Sequence, residues 1–300
     1  MKELEYPFDS DLLLKKSKHI RKELLADGTK RIHKNIAVLG GSTTHDIIRI
    51  LELFLLNYGI EPSFYESEYG RFWQDAMFPG EELLSFHPDM IYIHTSNRNI
   101  TEYPSLADDA KAVEDKLNNT YCYYENMWQK LKETFHCPII QNNFEQPFYR
   151  LMGNRDVVDL HGRMHFLHRL NGMFYDYAAG TDSFYINDIN YLSSCYGLDR
   201  WADPLYWHMY KYALCVPAIP SLSFNVANII KSVYGKNKKS LVMDLDNTLW
   251  GGVIGDDGVS GIEIGKETNL GQVYSEFQSY IKAQKDLGVI LNVDSKNEEE

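Results

Sequence analysis

Short apolar runs alternating with amphipathic segments constrain the fold of this chain more than any other feature. The first apolar run, 35–39, ends in Gly40-Gly41, and an amphipathic segment follows at 43–58. Strands that alternate with helices in this way are typical of a mostly parallel sheet whose strands are joined by crossover helices. The pattern therefore predicts an α/β fold.

The same criteria predict further elements along the whole chain. Strands are predicted at 35–39, 63–66, 90–94, 138–141, 184–186, 239–243 and 289–293. Helices are predicted at 1–30, 43–58, 104–135, 156–177, 221–234 and 271–287. The polar, basic stretch at 235–239 interrupts the pattern, so we predict one domain at 1–234 and the beginning of a second at 235–300.

Composition excludes several classes of function. The net charge of −12 disfavours nucleic acid as a partner, because binding to phosphates requires clustered Lys and Arg. The N-terminus has no sustained apolar segment of the secretory type, and no run is long enough for a membrane span. The four cysteines form no CxxC pair, which indicates a reducing compartment and predicts a cytoplasmic protein without a membrane partner.

Two carboxylates follow the predicted strand 239–243 directly. Asp244 and Asp246 lie in the sequence DLDNT, which ends at Thr248. One carboxylate of such a pair can attack phosphorus, and the other can protonate the leaving oxygen and later activate water. Mg2+ would offset the repulsion between these charges and a phosphate. The alternative is an ordinary turn rich in Asp and Asn.

A second polar loop supports the phosphate interpretation. The strand 289–293 ends in Asp294-Ser295-Lys296-Asn297, and the helix 271–287 completes a strand–helix–strand crossover between the two loops. Because the carboxyl ends of parallel strands meet at one edge of the sheet, we expect Ser295 to lie near the DLDNT loop.

The two loops together resemble those of the haloacid dehalogenase (HAD) superfamily of phosphatases. The segment DLDNTLWGGVIGDDG at 244–258 and the SKN at 295–297 are similar to its FkbH-like branch. The resemblance implies that the chain begins a HAD-type Rossmannoid domain at 235 and that 250–264 forms a short hairpin flap. Asp294 departs from the family, whose members often carry a small or thiol residue there.

The resemblance also implies roles for individual residues. Asp244 would be the nucleophile and a Mg2+ ligand. Asp246 would be the acid/base residue, and its backbone carbonyl would be a second Mg2+ ligand. The expected phosphate-binding residues are Thr248, Ser295, Lys296 and Asn297. The third and fourth motifs of the family are expected after residue 300, in a longer protein.

FkbH-like relatives act on a phosphorylated glycerate and pass the glyceryl group to an acyl carrier protein. The resemblance therefore implies a small phosphorylated substrate, with acyl transfer to a carrier protein as a coupled activity. One alternative is a catalytically degenerate module that binds a carrier protein or a saccharide acceptor. A second is an esterase of the SGNH type.

The esterase alternative comes from the N-terminal domain, which resembles an SGNH hydrolase with a flavodoxin-like sheet. Ser42 follows the first strand and would be the nucleophile, with Gly70 and Asn97 as oxyanion donors. The family's late DxxH is replaced by Asp203 and His208, which have four residues between them. The alternative is that Gly40 to Ser42 make a strand-to-helix turn, with Ser42 or Thr43 capping the helix.

Two clusters have a simpler structural interpretation. His161, His165 and His168 fall at helical spacing and could bind a metal ion, but such a set is more often a half-buried polar face. The aromatic residues at 201–212 are expected to pack in an interface rather than to form a ligand cage.

Overall fold

The computed structural model of the protein describes residues 1–296. The chain divides into two units, the first running from Met1 to Lys236 and the second beginning at Asn237. Among the residues described, no helix is both long and apolar enough to cross a lipid bilayer.

The first unit is built on a five-stranded sheet in which every strand pairs in parallel. The strands are β1 (Ile32–Gly40), β2 (Ile60–Glu66), β3 (Met90–His94), β4 (Ile139–Asn142) and β5 (Phe184–Asn187). Their order, β2-β1-β3-β4-β5, is the flavodoxin-like arrangement, so the predicted α/β fold is confirmed. The order in which strands are added reverses at β1: β2 is added on one side of β1, and β3 to β5 follow on the other side. The loops after β1 and β3 therefore lie side by side.

Helices cover both faces of this sheet. They are α1 (Ser10–Ala26), α2 (His45–Asn57), α3 (Phe72–Met77), α4 (Glu81–Phe86), α5 (Ala110–Phe135), α6 (Arg163–Ala179), α7 (Ile189–Tyr196), α8 (Leu198–Trp201), α9 (Pro204–Tyr210) and α10 (Ile219–Val233). Short 3-10 helices occur at Lys2–Leu4, Asn97–Asn99, Gly153–Val157 and Val216–Ala218.

Strand β1 shows why two separate cores form. Ile36 and Val38 pack with residues of α1, α2 and α10, whereas Ala37 and Leu39 pack with residues of α3, α5 and α6. Successive side chains of a strand point to opposite faces, so a strand that is apolar throughout needs helices on both sides.

Several elements differ from the sequence predictions. Helix α5 begins at Ala110 rather than at 104, because Asp109 caps it by accepting a hydrogen bond from the Ala112 amide at 2.7 Å. Helix α6 begins at Arg163, later than the predicted 156. The short helices α3, α4, α7, α8 and α9 were not predicted, because segments this short carry little helical periodicity.

The second unit contains a parallel strand pair. Strands β6 (Ser240–Met243) and β7 (Ile290–Val293) pair with Met243 opposite Val293, and α12 (Asn269–Asp286) connects them. Thr268 caps α12 by accepting a hydrogen bond from the Gly271 amide at 3.0 Å. A further helix, α11 (Ile254–Gly261), lies between β6 and α12.

Candidate functional site

The pairing of β6 with β7 brings the two predicted loops to one edge of the sheet. The amide of Asp294 donates to the carbonyl of Met243 at 2.9 Å, which continues the pairing past both strand ends. Asp244 follows Met243 directly and is exposed, and Ser295 follows Asp294 and is half-buried. The first loop and Ser295 therefore leave the sheet on the same side.

The carboxylate of Asp246 fixes the loop that follows it. Its Oδ1 accepts hydrogen bonds from Trp250 Nε1 at 3.0 Å and from the Ile254 amide at 3.1 Å. The side chain is half-buried, in contrast to the exposed Asp244. These two bonds occupy one carboxylate oxygen and leave Oδ2 for other chemistry.

The segment 250–264, here called the flap, is closed by backbone pairing between Gly251 and Glu263 at 2.8–3.0 Å. A Cβ atom on Gly251 would lie 2.9 Å from the ring of Tyr274, so glycine allows the flap to pack against α12. The predicted hairpin is wrong in one respect, because its middle is the helix α11. Asp257 holds the start of that helix by accepting from the Val253 amide at 2.8 Å.

Two further predicted phosphate-binding residues, Thr248 and Lys296, belong to the loops that leave this edge of the sheet. Thr248 is half-buried, and its amide donates to the Leu245 carbonyl at 3.1 Å within the loop turn. Lys296 is exposed. Asn297 lies outside the described residues.

The donor set for Mg2+ consists of the Asp244 and Asp246 carboxylates and the loop carbonyls. Within residues 1–296, no three His, Cys, Asp or Glu side chains lie close enough together to hold a metal ion. Mg2+ in phosphoryl-transfer sites is commonly bound through one or two carboxylates, with water and substrate phosphate completing its shell. Two carboxylates on one loop therefore fit this ion.

The histidines near the start of α6 are bound by polar neighbours, and the described residues include no group of His, Cys, Asp or Glu that could hold a metal ion there. His161 precedes α6, and its two ring nitrogens lie 2.8 Å from Asp159 Oδ1 and 3.0 Å from the Asp108 carbonyl oxygen. His165 Nδ1 lies 3.1 Å from the Val157 carbonyl oxygen. Histidines bound to their neighbours in this way stabilise the turn before α6.

The predicted hydrolase residues of the first unit follow three different strands. Ser42 is buried, and its Oγ has no hydrogen-bond partner within the described part of the chain. The side-chain Nδ2 of Asn97 donates to the carbonyls of Glu145 at 3.4 Å and Gln146 at 3.1 Å, so it is already bound within the fold. Gly70 is exposed with φ +74°.

The residues that replace the late hydrolase motif lie on α9. Asp203 caps this helix by accepting from the Leu205 amide at 2.8 Å, and His208 is exposed. The predicted capping of α2 by Ser42 or Thr43 is wrong, because the helix begins at His45 and Thr43 Oγ1 donates to the Tyr210 carbonyl at 2.6 Å. The described residues thus give Ser42 Oγ no hydrogen-bonded base.

Asn99 is a residue that the sequence analysis missed. Its side-chain nitrogen donates to the Gly41 carbonyl at 2.8 Å, and its Oδ1 accepts from the Ser96 amide at 2.9 Å. A Cβ atom on Gly41 would lie 2.4 Å from the Asn99 amide nitrogen. Asn99 therefore joins the loops after β1 and β3, where ligands of doubly wound sheets usually bind.

A buried polar network lies at the ends of β3, β4 and β5. His94 Nδ1 lies 2.9 Å from both Tyr92 Oη and Asn142 Nδ2, and Asn187 Nδ2 donates to Asn142 Oδ1 at 2.7 Å. Burial lowers the pKa of His94 to about 4, so the ring is neutral near pH 7. The network holds the strand ends together.

Glu145 is fully buried in the loop after β4. Its Oε2 accepts from the Asn97 amide at 3.1 Å, and its Oε1 has no hydrogen-bond partner among residues 1–296. Burial raises the pKa of Glu145 to about 7, although the Asn97 hydrogen bond and the charge of Arg98 oppose this shift. The carboxyl group is therefore half protonated near neutral pH.

This raised pKa predicts that Glu145 makes folding stability depend on pH. The unfolded chain releases the proton near pH 4.5, while the folded protein keeps it to about pH 7. The free energy of unfolding should therefore fall by about 3 kcal/mol as pH rises through this window. Glu145→Gln should remove that slope in urea unfolding at pH 5 and pH 8. The exposed Glu133→Gln variant should retain it, and an unchanged slope in Glu145→Gln would contradict the assignment.

The fold and the loops define the class of protein. It is an α/β protein whose first unit has a flavodoxin-like sheet and whose second unit has a strand–helix–strand crossover with two aspartates after its first strand. The sequence matches the family model described as FkbH, N-terminal domain, over residues 35–231. The chain belongs to this family. Among curated proteins, none matches the sequence.

Solved structures include a close relative of nearly the whole chain. It is the N-terminal part of the protein BF1531 from Bacteroides fragilis, which contains a phosphatase domain and was crystallised with Mg. The TM-score is 0.82 at 26% sequence identity, over 95% of this chain and 74% of that one.

Two hydrolase-type structures match more weakly. For the phospholipase A1 of Streptomyces albidoflavus the TM-score is 0.40 at 14% identity, over 66% of this chain and 99% of that one. For the catalytic domain of peptidoglycan O-acetyltransferase A of Streptococcus pneumoniae the TM-score is 0.38 at 12% identity, over 69% of this chain and 96% of that one. Both TM-scores are too low to carry a conclusion about this chain.

Proposed function

We propose that the second unit hydrolyses a small phosphate monoester with the help of Mg2+. The observation that carries this proposal is the pair of carboxylates on the loop after β6. Asp244 is exposed at the strand end, whereas Asp246 is held by two hydrogen bonds from the flap. The phosphatase domain and the Mg of BF1531 support the same chemistry.

In the first step, a carboxylate oxygen of Asp244 attacks phosphorus and the ester P–O bond breaks. The leaving alkoxide takes a proton from Asp246 Oδ2, and an aspartyl-phosphate remains on Asp244. In the second step, Asp246 removes a proton from water and the resulting hydroxide attacks phosphorus. The bond to Asp244 breaks, and free phosphate leaves with both aspartates regenerated.

Other residues of the two loops would bind the phosphoryl group. Ser295 and Lys296 leave the neighbouring strand at the same edge of the sheet, so they can supply a hydroxyl and a positive charge. Thr248 would support the loop from within its turn. Mg2+ would be held by the Asp244 carboxylate and the backbone carbonyl oxygen of Asp246, and it would stabilise the charge on the phosphoryl oxygens.

The proposal stops at phosphoryl chemistry because no contact among the described residues favours a coupled activity. Residues 237–300 contain no cysteine, so this stretch does not itself supply a thiol for acyl transfer. The hydrolase-type alternative lacks a base, because Ser42 Oγ has no hydrogen-bond partner among the described residues. Neither activity is therefore part of the proposed function.

Metal dependence tests the proposal directly. The full-length protein is expected to release phosphate from para-nitrophenyl phosphate with Mg2+ present. In EDTA the rate of release should be at least about 100-fold lower. Added Mg2+ should restore the rate, whereas Ca2+ should not, because it favours a larger and more flexible ligand shell. Equal rates in EDTA and Mg2+ would overturn the metal-dependent mechanism.

A further inference from the structure

A cavity of about 330 Å³ lies in the first unit beside the ends of β3 and β4. Two cationic and four aromatic side chains dominate its wall. They are Arg98, Tyr103, Phe148, Tyr149, Arg163 and Trp207. The cavity is close to the edge of the sheet where ligands of doubly wound folds bind.

The guanidinium of Arg98 is stacked but not neutralised. Its central carbon lies 5.3 Å from the ring centre of Phe148 and 4.9 Å from that of Trp207. Its Nε is buried and has no hydrogen-bond partner within residues 1–296. Stacking occupies the faces of a guanidinium and leaves its edge N–H groups free for an anion.

Arg163 approaches the cavity from the start of α6. Its guanidinium carbon lies 4.8 Å from the ring centre of Tyr103 and 5.6 Å from that of Tyr149, whose hydroxyl it contacts at 3.2 Å. These contacts orient the side chain without cancelling its charge. By contrast, Arg169 on the same helix forms two hydrogen bonds with Glu114 at 2.7 and 3.0 Å.

Neither guanidinium has an acidic partner at short range among the described residues, although the protein has 42 Asp and Glu residues against 30 Lys and Arg. Within the described chain, no carboxylate lies within 4.0 Å of Arg98 or Arg163. The charge of Glu145 acts on Arg98 at longer range, and the hydrogen bond of its Oε2 is with the backbone amide of Asn97. Partly buried cations without a counter-charge are costly, and a bound anion would offset that cost.

We propose that this cavity binds a small phosphate monoester through Arg98 and Arg163, with the organic part of the ligand against the aromatic rings. A phosphate monoester carries up to two negative charges near neutral pH, which matches two guanidinium groups, whereas a carboxylate carries one. Every residue that lines the cavity belongs to the first unit, so this proposal does not depend on the hydrolysis proposed for the second unit.

Isothermal titration with phenyl phosphate tests the site in the full-length protein. The titration uses the Asp244→Asn background in EDTA, so turnover and metal-dependent binding do not contribute. Arg98→Gln and Arg163→Gln are each expected to weaken binding by about tenfold, because each removes a charged hydrogen-bond donor. Arg169→Gln, on the same helix, should leave the affinity unchanged.

Three results would overturn the proposal. Phenol binding as tightly as phenyl phosphate would make the cavity merely apolar, and benzoate binding as tightly would remove the preference for phosphate. Unchanged affinity in both arginine variants would assign the side chains a structural role. If Arg98→Gln fails to fold, Arg163→Gln decides the question, with Arg98→Lys retaining the charge and losing the planar fork.

Discussion

Replacing Asp244 with Asn is expected to reduce Mg2+-dependent phosphate release by at least about a thousandfold, because an amide cannot act as the attacking nucleophile. The change should spare the fold. Asp244 is exposed, and within residues 1–296 its Oδ1 accepts from the adjacent Leu245 amide at 2.8 Å, a bond that the asparagine oxygen can keep. Initial rates with para-nitrophenyl phosphate and the urea midpoint together separate loss of activity from loss of structure.

A matched control for this variant is Asp286→Asn. Asp286 is an exposed aspartate at the end of α12, before β7 begins and therefore away from the carboxyl ends of β6 and β7, so its removal changes the net charge equally and should preserve the rate. An Asp244→Asn protein that keeps more than about a tenth of the activity would remove Asp244 from the role of nucleophile.

Trp128→Ala is expected to lower the free energy of unfolding of the first unit by about 3–5 kcal/mol, the usual cost of removing a buried aromatic side chain. Trp128 on α5 is fully buried, with ring centres 4.7 Å from Phe174 and 4.8 Å from Phe184. Its Nε1 donates to Gln141 Oε1 at 2.9 Å. Urea unfolding followed by circular dichroism measures the loss.

Trp128→Phe separates packing from hydrogen bonding at this position. It retains an aromatic ring but leaves Gln141 Oε1 without its donor, so a smaller loss of about 1–3 kcal/mol is expected. A Trp128→Ala loss below about 1 kcal/mol would show that the surrounding core closes over the space.

The fold was largely predictable because its signal is local. Strand 90–94 is apolar along its length and ends at His94, and the structure places β3 at those bounds. The sequence DLDNT was recognisable because Asp244 and Asp246 stand two residues apart after an apolar strand. Patterns within a few residues of the chain carry this information.

Contacts between distant residues were not predictable. Asn99 binds the Gly41 carbonyl 58 residues away, and Arg98 and Arg163, which are far apart in sequence, line one cavity in the folded unit. Nothing near either arginine in sequence indicates a ligand. The helix inside the flap depends on Asp257 accepting from the Val253 amide, a contact that a strand pattern does not reveal.

The two hydrogen bonds from the flap to Asp246 have an evolutionary consequence. A lineage that had lost phosphatase chemistry would still be under selection to keep an aspartate at 246, because the flap is attached there through Trp250 and Ile254. Within the described part of the chain, the side chain of Asp244 is bound only by the amide of its neighbour Leu245. Position 244, rather than 246, is therefore the informative marker when active and inactive homologues are to be told apart.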